Sequence, residues 1–130
     1  MKKVFLGMCL ACSLFAGSSM INTGAITFNT SYGKVTGLSS TSTWSQPTTP
    51  TYRRVQASTR ATKAVPKIAA SVKGYKNGNE VLSANNTATN AISVVATKDS
   101  TSYVNAAITG TGTHAVWSAT VTRVDHISRF

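Results

Sequence analysis

The sequence predicts an all-β protein, a small antiparallel β-sandwich of about six to seven short strands preceded by a leader and a Ser/Thr/Pro-rich segment. Three observations carry this. Thr, Val, Ile and Tyr are plentiful, while the helix formers Leu, Glu, Gln and Met are scarce. From Tyr52 onward apolar residues recur at every second position. Turn signals interrupt those alternations at short intervals, Asn77-Gly78 being the clearest. A length of 130 residues leaves room for one domain, and a hydrophobic content of 42% is sufficient for its core.

Residues 1–25 read as a secretory leader. Met1-Lys2-Lys3 is a cationic start, Val4 to Ala16 is an apolar run, and small or polar residues follow to Ala25. The run is shorter than the roughly 20 residues of a membrane span. Cleavage is expected after Ala25, with a second option after Ser18. Cys9 and Cys12 raise a lipoprotein signal, but neither follows a Leu-small-small triplet. Both cysteines leave with the leader, so the mature chain relies on no disulfide, cysteine-bound zinc or thiol nucleophile. These features suit a bacterial exported protein.

Residues 26–51 read as an N-terminal strand and a linker or long loop. Ile26, Phe28 and Tyr32 stand at even steps within a strand expected over 26–35. Thr36 to Thr51 carries no charge and contains Pro47 and Pro50 among Ser and Thr, which argues against a central strand. Trp44 is out of place in a bare linker; it either folds back on the sandwich or stands exposed as a binding residue.

Residues 52–130 read as the β-sandwich domain. Val55, Ala57, Thr59 and Ala61 alternate with Arg54, Gln56, Ser58 and Arg60, as in a half-buried strand, until Val65-Pro66 interrupts. Ile68, Ala70, Val72 and Gly74 then share a face opposite Lys67, Ala69, Ser71, Lys73 and Tyr75. Asn77-Gly78 tolerates the positive φ angles of a type I′ turn, so 68–76 and 79–84 should form a hairpin. Asn85–Asn90 reads as a polar turn. Ile92, Val94 and Ala96 mark the next strand, and Val104, Ala106 and Ile108 another. Gly110-Thr111-Gly112 reads as a turn before a last strand with Ala115, Trp117, Ala119 and Val121 inward. The expected core includes Ile68, Val72, Ile92, Val94, Ile108 and Trp117.

Charge is the most informative functional feature. Thirteen Lys and Arg stand against three Asp and Glu, a formal net charge of +10. Lys34, Arg53, Arg54, Arg60, Lys63, Lys67, Lys73 and Lys76 fall in a stretch without an acid, whereas Glu80, Asp99 and Asp125 all lie in the second half. Arg53, Arg54, Arg60, Lys63, Lys67, Lys73 and Lys76 are therefore the candidate polyanion-binding residues, because several close contacts add and release counterions. The competing reading is a solvated basic face. Trp44, Tyr52 and Tyr75 are the candidate aromatic contacts: Tyr52 precedes Arg53-Arg54, and Tyr75 stands beside Lys73 and Lys76. For an exported protein the expected partner is an anionic cell-wall polymer or a membrane surface. Nucleic acid is disfavoured, since no recognition motif accompanies the composition.

Catalytic groupings are scarce. Three acids offer little choice for a two-carboxylate glycosidase, and nothing marks a serine elbow for a Ser-His-Asp arrangement. His114 reads as a turn-flanking surface residue and His126 as part of a C-terminal tail. Two histidines without a third ligand do not make a catalytic zinc site. No phosphate loop, dinucleotide motif or calcium loop is present, so a non-catalytic protein without cofactor or metal is expected; a small hydrolase and nucleic-acid binding remain the alternatives.

The short Lys-Lys leader, the segment Gly-Thr-His-Ala-Val-Trp-Ser-Ala-Thr at 112–120 and the Ser/Thr-rich strands resemble the lactococcin-type secreted proteins of Gram-positive bacteria. The resemblance implies a small, disulfide-free β-sandwich bacteriocin acting on cell-wall synthesis. The chain departs from that pattern in being poorer in aromatic residues and Gly and in carrying the 36–51 segment, and no functional residue transfers. A secreted cationic protein binding an anionic partner at the cell envelope is thus the leading expectation, with an antibacterial protein as the alternative.

Overall fold

The computed structural model describes residues 18–44, 52–101 and 107–130. They form six strands: β1 (Ser18–Thr30), β2 (Gly33–Trp44), β3 (Tyr52–Lys76), β4 (Asn79–Asp99), β5 (Thr109–Trp117) and β6 (His126–Arg129). All pairings are antiparallel, and no helix occurs among the described residues. The strands belong to one sheet in the order β1-β2-β3-β5-β6, with β4 on the other edge of β3. The sheet curls until β6 meets β1, giving a nearly closed barrel instead of two stacked layers. Gly24 permits this closure, because a Cβ there would overlap the backbone carbonyl of Arg129.

The long strand β3 organises the molecule. Its first half pairs with β2 through Tyr52–Ala61, and its second half pairs with β5 through Lys67–Tyr75. Along its opposite edge it pairs with β4 for nearly its whole length. Between Arg60↔Ser93 and Val65↔Ala91, β3 takes five steps where β4 takes two. This bulge bends the ribbon just before Pro66, which lies in the gap between the β2 and β5 pairings and has no register partner on β4, so its missing N–H breaks no ladder bond. Asn90 absorbs the bend on β4 with a φ of 49°, a value that Asn tolerates better than most residues.

The hairpin at Asn77-Gly78 forms as its residues dictate, with φ angles of 52° and 81° and Lys76 opposite Asn79. Val55, Ala57, Ile68, Ala70, Val72, Val94, Val116 and Ile108 are buried in one cluster with Phe28 and Val35. The expected inward positions Ile68, Val72, Val94 and Ile108 are therefore core. Ile92 is not: it is 41% exposed, because it lies where β4 rounds the bend and the β3 ladder is interrupted.

Three other expectations change. The uncharged stretch after Val35 is not a loop up to Trp44; it is β2, hydrogen-bonded to β1 and β3 on both edges. Its inward residues Gly37, Ser39 and Thr41 are small, and it needs no charge because it lies inside the sheet. Asn85–Asn90 is not a turn between two strands but part of one long strand, paired with β3 through Thr89 and bending only at Asn90. Gly110-Thr111-Gly112 lies inside β5, whose inward residues are Gly110, Gly112, His114 and Val116, while Trp117 faces outward opposite Lys67. Residues 18–25, expected in the leader, form the first part of β1. Residues 1–17 and 45–51, Val104 and Ala106 lie outside the described residues, as does the Trp44 side chain.

Candidate functional site

Register decides which of the basic residues can act together, since residues directly opposite in antiparallel strands share a face. Arg54, Arg60, Lys67 and Lys73 all lie on the outer face of β3, opposite Asp99, Ser93, Thr89 and Ser83 of β4. Two of these cations are paired. Arg54 holds Asp99 through Nε to Oδ1 at 2.6 Å and a second nitrogen to Oδ2 at 2.9 Å. That bidentate bond pulls the Asp99 carboxyl below its usual range, with partial burial working the other way, and raises the Arg54 guanidinium. Lys73 stands 3.6 Å from Glu80, a solvent-exposed and weaker pair.

The other three candidate cations are not part of that ladder face. Lys63 is exposed within the bulge, Lys76 closes the hairpin tip, and Arg53 lies on the inner face of β3 opposite Thr43. Tyr75 is half-buried on the outer face between Glu80 and Thr109. Tyr52 is half-buried at the start of β3, opposite Trp44.

A second cluster forms at the bulge end of the barrel. Lys34, Arg60, Lys63 and Lys67 are exposed there and make no ion pair among the described residues. A Cβ at Gly33 would stand 2.8 Å from Thr62 Oγ1, which places the β1–β2 turn against the bulge that carries Lys63. Trp117 sits directly across from Lys67, and the Arg123 guanidinium lies 4.7 Å from the centre of its ring. The Arg123 guanidinium is thus in cation–π geometry with the indole, on a strand position paired with a second cation, Lys67. Arg123 also holds Asp125 at 2.6 Å. Beside this cluster is a cleft of about 210 Å³, lined by Phe28, Tyr32, Val116, Val121, Val124 and His126 among others. His126 stacks on Phe28 with ring centres 3.7 Å apart, so it is a strand residue packed on the barrel and not a loose tail.

The barrel interior holds a polar chain that sequence reasoning missed. His114 is fully buried, with Nδ1 2.9 Å from Thr59 Oγ1 and Nε2 2.7 Å from Ser128 Oγ. Ser128 Oγ lies 2.6 Å from Ser39 Oγ, and Thr59 Oγ1 donates to the Ala69 carbonyl at 2.8 Å. Proton counting orients the chain. Thr59 has one hydroxyl hydrogen and gives it to Ala69, so it accepts from Nδ1–H of His114. The neutral ring then leaves Nε2 to accept from Ser128, and Ser39 donates to Ser128. Burial pushes His114 down to about 4, a backbone hydrogen bond at Ser58 acts in the opposite sense, and His126 adds a further small depression. Gly37 makes room for the ring, since a Cβ there would overlap it.

Ser128 and His114 have the spacing of a nucleophile and its base, but both are sealed inside the barrel and Thr59, not a carboxylate, meets the far ring nitrogen. A group that solvent cannot reach does not meet a substrate. The arrangement is a satisfied polar core in which every hydroxyl proton has an acceptor. The signal that could have found it is the run Gly110, Gly112, His114, in which small residues alternate inward around one large polar ring. Among the described residues no three His, Cys, Asp or Glu side chains converge as metal ligands. No family model, curated protein or solved structure matches the chain.

Proposed function

We propose that the chain is an exported, non-catalytic protein that binds an anionic polymer of the bacterial cell envelope through the bulge end of its barrel. The observation that carries this reading is that Lys34, Arg60, Lys63 and Lys67 are all exposed around the bulge and make no ion pair among the described residues, with an indole and a cleft on neighbouring strands. Four nearby unneutralised cations raise the local potential enough to attract a polyanion, and each phosphate or carboxylate bound releases counterions. Trp117 supplies an apolar face for the uncharged portion of such a polymer. Arg54 is a poorer contact, because binding would have to compete with Asp99.

The leader fits this reading best with cleavage after Ser18. Cleavage after Ala25 would remove the part of β1 that pairs with Leu38–Trp44 and meets β6 at Gly24.

Retention of the protein on purified cell walls from about 50 to about 500 mM salt tests the reading. The triple variant R60Q/K63Q/K67Q should elute earlier and show a salt slope shallower by about one per contact removed. The double variant R54Q/D99N, which exchanges a neutralised pair, should elute with the wild type. Equal retention of wild type and triple variant, with folding confirmed by circular dichroism, would reject the reading and leave the charge as a solubility feature.

A further inference from the structure

The exposed apolar side chains are not scattered over the barrel. Among the described residues six large hydrophobics are exposed, and three of them, Val121, Val124 and Ile127, lie close together on the β5–β6 connection and β6. Val121 and Val124 help to line the cleft of about 210 Å³, with Phe28, Tyr32 and Val116, yet remain 37% and 59% exposed. The cleft is therefore mainly apolar and open to solvent. The connection begins with a local turn, in which Ser118 Oγ accepts from the N–H groups of Thr120 and Val121 at 3.2 Å each, and its valines stay outside the core cluster.

The charge around this apolar rim has one sign. Lys34 is the register partner of Asn29, a cleft residue, and Lys67 is opposite Trp117, the residue after the cleft's Val116. Both lysines are exposed and make no ion pair among the described residues. The acid nearest in the chain, Asp125, is held by Arg123, whose guanidinium also lies on the Trp117 ring. Asp99 and Glu80 face β3 near its two ends, at Arg54 and Tyr75, and not at the bulge.

Two features of the cleft say what meets it. It is smaller than the roughly 300–1,000 Å³ of pockets that enclose a whole small molecule, so it suits one part of something larger. It also offers little to orient a polar group: Thr30 Oγ1 is spent on the Gly33 carbonyl and the Tyr32 N–H, and no cleft side chain has a buried polar atom lacking a partner. A partner with a negative surface and an apolar layer just beneath it matches cations around exposed valines. An anionic bilayer has that construction.

We propose that this end of the barrel docks on an anionic membrane surface. Val121 and Val124 enter the boundary between head groups and acyl chains, Trp117 lies at head-group level, and Lys34, Lys67 and the other bulge cations meet lipid phosphates. Each cation near such a surface multiplies partitioning by about fivefold. This goes beyond polymer binding, which needs the cations alone. It rests on that reading only for the accessibility of those cations, and the valines belong to membrane docking alone.

The test is flotation of the exported protein, at about 100 mM salt, with vesicles of phosphatidylcholine alone and of phosphatidylcholine mixed with phosphatidylglycerol. The protein should float with the anionic vesicles and not with the zwitterionic ones. Val121 and Val124 together expose about as much as one whole side chain, so V121S/V124S should partition roughly tenfold more weakly while its retention on cell walls stays unchanged. In W44F, where Trp117 is the remaining tryptophan, fluorescence should shift to the blue on anionic vesicles and be quenched by brominated acyl chains. Absence of binding to anionic vesicles would overturn the proposal. So would equal partitioning of V121S/V124S and wild type, because charge alone would then account for attachment. If instead R60Q/K63Q/K67Q keeps full retention on cell walls while V121S/V124S loses vesicle binding, polymer binding fails and membrane docking stands.

Discussion

His114 makes the fold sensitive to mild acid. Its imidazole is held to about 4 in the folded barrel against an ordinary value of 6.5. Above that ordinary value the ring is neutral in both folded and unfolded chains, and stability does not depend on it. Below it the unfolded chain takes up a proton that the folded chain refuses, so stability falls as pH falls and levels off near the folded value. At roughly 1.4 kcal/mol per pH unit the whole window is worth about 3 kcal/mol, a substantial share of the stability of a small domain. Desolvation is the main cause, and the hydrogen-bond chain adds to it. A proton on Nε2 would face the Ser128 hydroxyl, which must then turn its own hydrogen toward Ser39 and displace that donor. No carboxylate beside the ring offers compensation, because all three pair elsewhere. Urea unfolding at intervals between about pH 7 and pH 4.5 measures the slope, above the region where Asp99 begins to lose its own contribution. Wild type should weaken progressively across that window, and H114Q should weaken much less. The ring itself, followed by NMR in the folded protein, should stay neutral down to about pH 4.5 with the proton on Nδ1. A ring that titrates near 6.5 in the folded state, or parallel slopes in the two proteins, would refute the argument.

Three further outcomes follow from the packing. Gly37→Ala drives a methyl into the His114 ring and should destabilise the barrel by about 1–3 kcal/mol in denaturant midpoints, as overpacking does. Val94→Asp places a carboxylate in the core with no cation beside it, and should lower the melting temperature severely or prevent folding; an unchanged melting curve would mean that face is wrongly assigned. Mass spectrometry of the exported protein should find a mature chain beginning at Ser19, whereas a chain beginning at Ile26 would show that the barrel tolerates the loss of half of β1.

The fold was legible wherever the chain speaks locally. Asn77-Gly78 specified its turn through two positive φ angles, and the alternation from Val55 to Ala61 specified an inner face, because both signals depend only on neighbours in sequence. β2 was illegible because its inner residues, Gly37, Ser39 and Thr41, are as small and polar as its outer ones. The alternation is present in burial and absent in hydropathy. β5 was read with its faces exchanged for the same reason. Ala115 is buried as expected, but Trp117 is only half-buried, opposite the exposed Lys67, while Gly110, Gly112 and the His114 ring occupy the interior. A buried histidine in a polar chain is a tertiary fact: Thr59, Ser39 and Ser128 come from three different strands.

The candidate site shows the same division between count and placement. Composition alone reveals the excess of cations, but a strict period of two sends Arg60 and Lys67 to opposite faces. The bulge reconciles them. Three extra residues of β3 between the two ladders reverse the parity, so that Arg54 and Arg60 at even positions share the outer face with Lys67 and Lys73 at odd ones. The bulge that bends the sheet therefore also assembles the basic face, and the Pro66 that marked a break in the sequence marks the place where the two halves of that face join. The scarcity of acids then divides the cations by role. Arg54, Lys73 and Arg123 have partners of their own. Arg60, Lys63 and Lys67 face outward toward whatever the protein meets, and Arg53 faces inward, opposite Thr43. Lost contacts to an extended polyanion should appear mainly as a change in salt slope.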